Sequence, residues 1–310
     1  MASKLSELIE YMKSTNNIIQ SKLNDMHYLT DGSVRIDNDT YGISYAAMAS
    51  LAKMVGVPPA YAKRIPPDLR SVNIEYFASR MDTVVNVTIS DDIISEVKNA
   101  DQDRTLGEVL DQTIAAFGDC YVVQVDINQK DISFYLYADE SVNVGNDELK
   151  RGWYVNCPIW RGGNCICSPA LINDIDETCI EFSVYDQFLM THEKDMLQDF
   201  SSVLEFGKEK ARSVIDEATA NADNKLSDIT HFLSHEAKAA GVNPSNRRKV
   251  DEEAQNIGVE HVSDIINAIL LAEERTNNMK QVHNLAHLAG MAFYASDPHY
   301  CASCHQEIES

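Results

Sequence analysis

Hydrophobic and polar positions alternate with different periods along this chain, and the changes of period divide it. Residues 2–24 read as a helix, with Leu5, Leu8, Ile9 and Met12 along one face. Residues 26–45 read as short strands around the turn Thr30-Asp31-Gly32-Ser33. From Ile43 to Asn73 the pattern becomes helical, with Met48, Leu51, Ala52 and Val55 spaced to face a core. Gly56 stands where a helix C-terminus takes a left-handed residue, Pro58 and Pro59 forbid continuation, and Pro66-Pro67 reads as the stop of a second short helix. Residues 83–90 alternate as a strand, and 105–117 carry Leu106, Val109, Leu110, Ile114 and Phe117 at helical spacing. The clearest strands are 120–128 and 131–138, joined by a hairpin turn at Asn128-Gln129-Lys130, with 153–158 and 179–185 completing an antiparallel sheet. After about residue 186 strand alternation stops. Residues 188–240 read as one long helix or two broken near Asn221–Asn224, and 246–257, 262–275 and 276–294 as further helices. The predicted fold class is α+β, an antiparallel sheet with packed helices, followed by a helical C-terminal domain. The predicted divisions are an N-terminal helix (1–24), an α+β domain (25–190), a helical domain (191–295) and a Cys/His-containing tail (296–310).

Three segments carry a family resemblance. The first is ISYAAMASLAKMVGVPPAYAKRIPPDLRSVN at 43–73, with its Gly-Val-Pro step, Tyr61, Pro-Asp-Leu and Asn73. The second is KRGWYVNCPIWRGGNCICSPALIN at 150–173, and the third TNNMKQVHNLAHLAGMAF at 276–293. Together they resemble the phage- and plasmid-like proteins grouped as domain of unknown function 932. In the second segment the usual Cys-x-Asn-Gly order stands instead as Gly162-Gly163-Asn164-Cys165. The resemblance implies a protein of a mobile genetic element and assigns no biochemistry.

Composition narrows the classes. At 310 residues and 44% hydrophobic, the chain can bury a large core. No apolar run is long enough to span a membrane, so no membrane partner is expected. The opening MASKLSELIEYMKSTNN lacks an apolar core beside a basic stretch, so a secretory signal is not expected. A cytoplasmic location, with the seven cysteines reduced, follows as the expectation. The net charge is −22 and is spread along the chain. Residues 1–150 hold 23 acids against 13 bases, 151–195 hold 7 against 3, and 196–310 hold 18 against 10. Such a surface opposes non-specific duplex binding, although a local basic groove remains compatible with it. Walker-type, dinucleotide-binding and nucleophile-elbow motifs are missing, so the sequence leaves catalysis undecided and leans towards a non-enzyme.

The strongest candidate chemistry lies at 150–164. Both tryptophans, Trp153 and Trp160, stand there with Tyr154 beside Lys150, Arg151 and Arg161. Aromatic rings interleaved with cations suit a single strand, because rings stack on bases while cations follow the phosphates. The competing reading is that both indoles belong to the core at a sheet end. Lys63, Arg64, Arg70 and the run Arg247-Arg248-Lys249 could extend such a surface, the last opening a helix where cations oppose the dipole. The tail offers Cys301, Cys304 and His305 as zinc ligands, which Cys165 and Cys167 could complete. Cys-x-x-Cys-His also matches a c-type haem site, which export would have to accompany. His231/His235 and His283/His287 place paired imidazoles on one helix face, and Asp91-Asp92 or Asp174/Asp176/Glu177 could hold a cation, so a metal-dependent enzyme is a third possibility. The leading expectation is a phage or plasmid accessory protein, homo-oligomeric, that binds or anneals single-stranded nucleic acid without a cofactor. The alternative is an acidic interaction protein, a host-takeover factor or DNA mimic, that engages a basic host protein.

Overall fold

The computed structural model describes residues 3–15, 17–101, 103–127, 131–160, 163–182, 200–226 and 228–296. The fold is α+β, with two six-stranded sheets among the described residues, and its contacts form two compact units. The N-terminal unit comprises Ser6–Asp111 and Pro158–Gly163. The C-terminal unit comprises Met1–Leu5, Gln112–Cys157 and Asn164–Ser310.

The chain opens with β1 (Ser3–Lys4) and α1 (Leu5–Thr15). Where one helix is expected across 2–24, it ends at Thr15 and β2 (Asn17–Lys22) follows. The reason is a distant partner: β2 pairs antiparallel with β6 (Val84–Ser90) from Asn17 to Lys22. β3 (Met26–Tyr28), β4 (Val34–Ile36) and β5 (Asp39–Ile43) form a meander, as the turn chemistry implies. β6 and β7 (Ile93–Asn99) form a hairpin whose turn residues Asp91 and Asp92 are both left-handed, at φ 50° and 59°. The sheet order is β2-β6-β7-β5-β4-β3, antiparallel except for the β5–β7 pair.

Besides α1, three further helices belong to the same unit. α2 (Tyr45–Met54) is capped by Ser44, whose side chain accepts from the Ala47 amide. Gly56, at φ +79°, closes it: its amide donates to Lys53 and that of Val57 to Ala52. This Schellman pairing satisfies the last carbonyls. α3 (Pro59–Arg64) ends before Pro66, as expected. Pro67, however, starts a helix, α4 (Pro67–Ala78), because proline suits the first helical turn as well as it ends a helix. The unit's core joins Met48, Leu51 and Ala52 of α2 and Ile74 of α4 to Val85, Val87, Ile94 and Val97 of the sheet. α5 (Leu106–Phe117) then leads out of this unit.

In the C-terminal unit, β8 (Tyr121–Ile127), β9 (Asp131–Val144), β10 (Asp147–Pro158), β11 (Ile166–Asn173) and β12 (Thr178–Glu181) join β1 in the order β1-β8-β9-β10-β11-β12. The helices pack directly on this sheet. α6 (Phe200–Thr219) crosses β11 with Gly207 against Cys167. α7 (Ile229–His231), a π turn at Phe232–Glu236 and α8 (Ala237–Ala239) lead to α9 (Pro244–Ile257), α10 (Val262–Glu274) and α11 (Met279–Ala292). α11 lies on β12 with Gly290 against the Glu181 carbonyl. Leu149, Leu171 and Ile180 of the sheet share one core with Val250, Ile265, Ile269, Leu285 and Leu288 of the helices. The helical region therefore forms one compact unit with the sheet that precedes it.

Candidate functional site

The structure separates the residues of the 150–164 segment. Strand alternation sends Trp153 and Tyr154 to opposite faces of β10. Trp153 is half-buried, its ring 4.4 Å from that of Phe117, and its Nε1 has no hydrogen-bond partner among the described residues. Tyr154 is buried against Tyr135 and His283, with ring centroids 4.9 and 4.5 Å away. Lys150 donates to Ser141 Oγ at 3.1 Å and lies 3.4 Å from Asp139. Arg151 meets Glu140 at 3.2 Å and also pairs with Asp216, while Arg212 shares Glu140 at 3.1 Å. Carboxylates therefore offset the positive charge on β10. Trp160 belongs to the other unit and is 61% exposed. Buried Arg104 anchors its backbone, donating from Nη1 to the Pro158 and Trp160 carbonyls at 3.1 and 3.2 Å. Arg161 lies outside the described residues, as do Cys301, Cys304 and His305.

The Arg247-Arg248-Lys249 run is divided in the same way. Arg248 is exposed, whereas Arg247 is half-buried with no hydrogen bond at Nε among the described residues. Lys249 donates to the Arg275 carbonyl at 2.7 Å and to Thr276 Oγ1 at 3.2 Å. Its cation thus serves the C-terminus of α10, where the helix dipole favours it. Among the described residues no cluster of three His, Cys, Asp or Glu side chains is placed to hold a metal. The His231 and His235 rings stack at 4.3 Å, and Cys165 lies 3.3 Å from Cys157.

An aromatic–basic surface is present elsewhere, on α2–α4 of the N-terminal unit. α4 buries Ser71, Ile74 and Ala78 and leaves Leu69, Val72, Tyr76 and Phe77 exposed. The exposed stripe has the same helical spacing as the buried one, so periodicity alone does not choose between them. Tyr45 and Tyr61 are also about half exposed. Lys63 Nζ stands 4.9 Å above the Tyr45 ring and the Arg80 guanidinium 3.9 Å above Tyr76, which meets Phe77 edge-on at 5.2 Å. Between Tyr45 and Arg80 the bases are Lys53, Lys63, Arg64, Arg70 and Arg80, against the acids Asp68 and Glu75. Glu75 is already occupied, accepting from the Tyr28 amide at 2.9 Å with His27 at 3.4 Å. This stretch thus carries three more bases than acids, on a chain of charge −22.

The C-terminal unit holds a second polar cluster, which the sequence pattern does not reveal. His283 Nδ1 lies 3.0 Å from Glu181 Oε2 and 3.2 Å from the Tyr135 hydroxyl. Burial opposes the imidazolium, but the Glu181 charge and hydrogen bond outweigh it, so His283 titrates above its ordinary value. Burial, followed by the Glu181 charge, holds the Tyr135 hydroxyl well above its usual range. Glu273 is buried and accepts from the Cys179 amide at 3.0 Å; burial pushes its carboxyl well up. Both partners of His283 meet the same ring nitrogen, so the trio cannot relay a proton through the imidazole. It acts as a clasp between α11, β9 and β12. A scan against protein-family models, a search of curated proteins and a search of solved structures each found no match to this chain.

Proposed function

We propose that this chain is a phage or plasmid accessory protein that binds single-stranded nucleic acid through the exposed face of α2–α4. The observation that carries the reading is the pair of stacked contacts, Lys63 on Tyr45 and Arg80 on Tyr76, in a locally basic layer. A single strand offers phosphates to the cations and base faces to the rings, whereas a duplex keeps its bases stacked inside. Exposed Trp160 in the same unit supplies another ring of the same kind. The offset charges of β10 leave that strand a structural role in this reading.

Fluorescence anisotropy with a labelled oligothymidylate at low salt tests the proposal. Each stacked base contributes about 1–3 kcal/mol, so Tyr76→Ala is expected to weaken binding by roughly 5- to 150-fold. Affinity is expected to fall with salt, with a log–log slope of about −0.7 per phosphate engaged. No binding at low salt, or equal affinity for Tyr76→Ala with Arg80→Ala and for the unmodified protein, rejects the reading. A second reading rests on the acidic turn at Asp174–Glu177 with its 86% exposed Ile175. That surface suits a basic protein partner. Salt-sensitive capture of such a partner, lost on charge reversal at Asp174 and Asp176, would favour it.

A further inference from the structure

We infer that Cys157 and Cys165 are an oxidation site that closes to a reversible disulfide when a hydroperoxide reaches it. The β10–β11 register pairs Val155 with Cys167 and Asn156 with Ile166, so the next opposed positions are Cys157 and Cys165. Both residues are thiols, and their sulfurs are 3.3 Å apart. Directly opposed antiparallel residues have Cα atoms about 4.5–5.5 Å apart, within the span a disulfide accepts. Closing from 3.3 Å to a bond of about 2.05 Å therefore asks for side-chain rotation, with little backbone movement.

Among the described residues, the other buried thiols lack this arrangement. Cys167 shares the strand face with Cys165 two residues away, but its sulfur is packed against the α6 backbone at Gly207. Burial raises the pKa of Cys120, Cys167 and Cys179. Cys157 and Cys165 are buried too, and Cys165 precedes β11 directly after exposed Asn164. The ring that closes spans the segment carrying Trp160 and Arg161.

The chemistry is balanced by one peroxide. The Cys165 thiolate attacks a peroxide oxygen, the O–O bond breaks, and a sulfenic acid forms as alkoxide or hydroxide leaves. The Cys157 thiolate then attacks that sulfur and hydroxide leaves. Two thiols and one hydroperoxide give one disulfide, one alcohol and one water; with hydrogen peroxide the products are the disulfide and two waters. The sulfurs lose two electrons, the peroxide gains them, and both thiol protons end on the oxygen products.

The full-length folded protein is treated with hydrogen peroxide, alkylated in denaturant and mapped by non-reducing peptide mass spectrometry. The expected product is a Cys157–Cys165 crosslink, reversed by dithiothreitol, with Cys120, Cys167 and Cys179 still alkylated. Oxidised protein should also unfold at higher urea than reduced protein, and Cys157→Ser should abolish both effects and leave Cys165 trapped by a sulfenic-acid probe. If Cys157→Ser does not fold, the crosslink map of the unmodified sequence decides alone. Peroxide-treated folded protein in which both thiols remain alkylatable overturns the inference. So does a map in which the crosslink joins other cysteines, Cys301 with Cys304 included.

Discussion

Gly290→Ala adds one methyl group at the closest helix–sheet approach in the C-terminal unit. A Cβ built at Gly290 falls 2.0 Å from the Glu181 carbonyl oxygen and 2.8 Å from its carbon. Both are backbone atoms of β12, so no side chain can swing aside. Reaching the 3.4 Å at which ordinary contact begins requires α11 to retreat by 1.4 Å. The retreat loosens Leu285 and Leu288, both fully buried on α11. A gap of about 0.5–1 Å already forfeits roughly a quarter to a half of a contact's attraction, so this retreat sets that as a lower bound. Each buried leucine contributes about 1.5–3 kcal/mol, so the two lose at least about 1–3 kcal/mol. Strain from overpacking adds about 1–3 kcal/mol, and alanine's helix preference returns about 1 kcal/mol. The expected net loss is about 3 kcal/mol. Urea unfolding followed by far-ultraviolet circular dichroism measures it. Gly107→Ala is the control, because a Cβ there meets nothing nearer than Thr105 Oγ1 at 3.9 Å on α5. That variant is expected to be neutral or to gain up to about 1 kcal/mol. A Gly290→Ala protein as stable as the unmodified one, or a Gly107→Ala protein equally damaged, would refute the close-packing argument.

Further outcomes follow from the same structure. The His283 pKa is raised in the fold, so the His283–Glu181 contribution is present below the unfolded value of about 6.5 and is lost as pH rises through the folded value. His287 opposes it: burial lowers its pKa, against the Glu181 and Glu236 charges, so its protonation favours the unfolded chain as pH falls. The stability gap between the unmodified protein and Glu181→Gln should therefore widen from about pH 8 to about pH 6 in paired urea titrations; a constant gap refutes the clasp. Arg104→Met removes two charge-assisted bonds to the Pro158 and Trp160 carbonyls and should lower stability by about 1.5–3 kcal/mol while changing Trp160 fluorescence. Unchanged emission would show that Arg104 does not hold that segment. Lys249→Ala should lower stability by about 1 kcal/mol through the lost α10 cap, read by the same titration, whereas Arg248→Ala should have almost no effect.

Much of the architecture was legible because short-range rules govern it. The amphipathic spacing of α5, α9, α10 and α11, the alternation of β6, β8 and β9, and the left-handed Gly56 all depend on neighbours within a turn or two. β2 was not legible, because its six residues are drawn into strand by β6, more than sixty positions away. Pro67 is ambiguous in the sequence, because one residue type both ends a helix and begins one.

The limits are sharper at the candidate site. Nearness of Trp153, Tyr154, Lys150 and Arg151 in sequence implied a shared surface, yet β10 sends the rings to opposite faces and Asp139, Glu140 and Asp216 surround the cations. The amino-acid sequence by itself determined the α+β class, most of the locally specified helices and strands, the large negative charge and the presence of aromatic rings beside bases. Only the tertiary structure decided which rings stay in water, which charges are offset and which thiols meet. Backbone dihedrals answer to nearby residues, whereas burial and ion pairing depend on atoms that long loops and sheet register bring together.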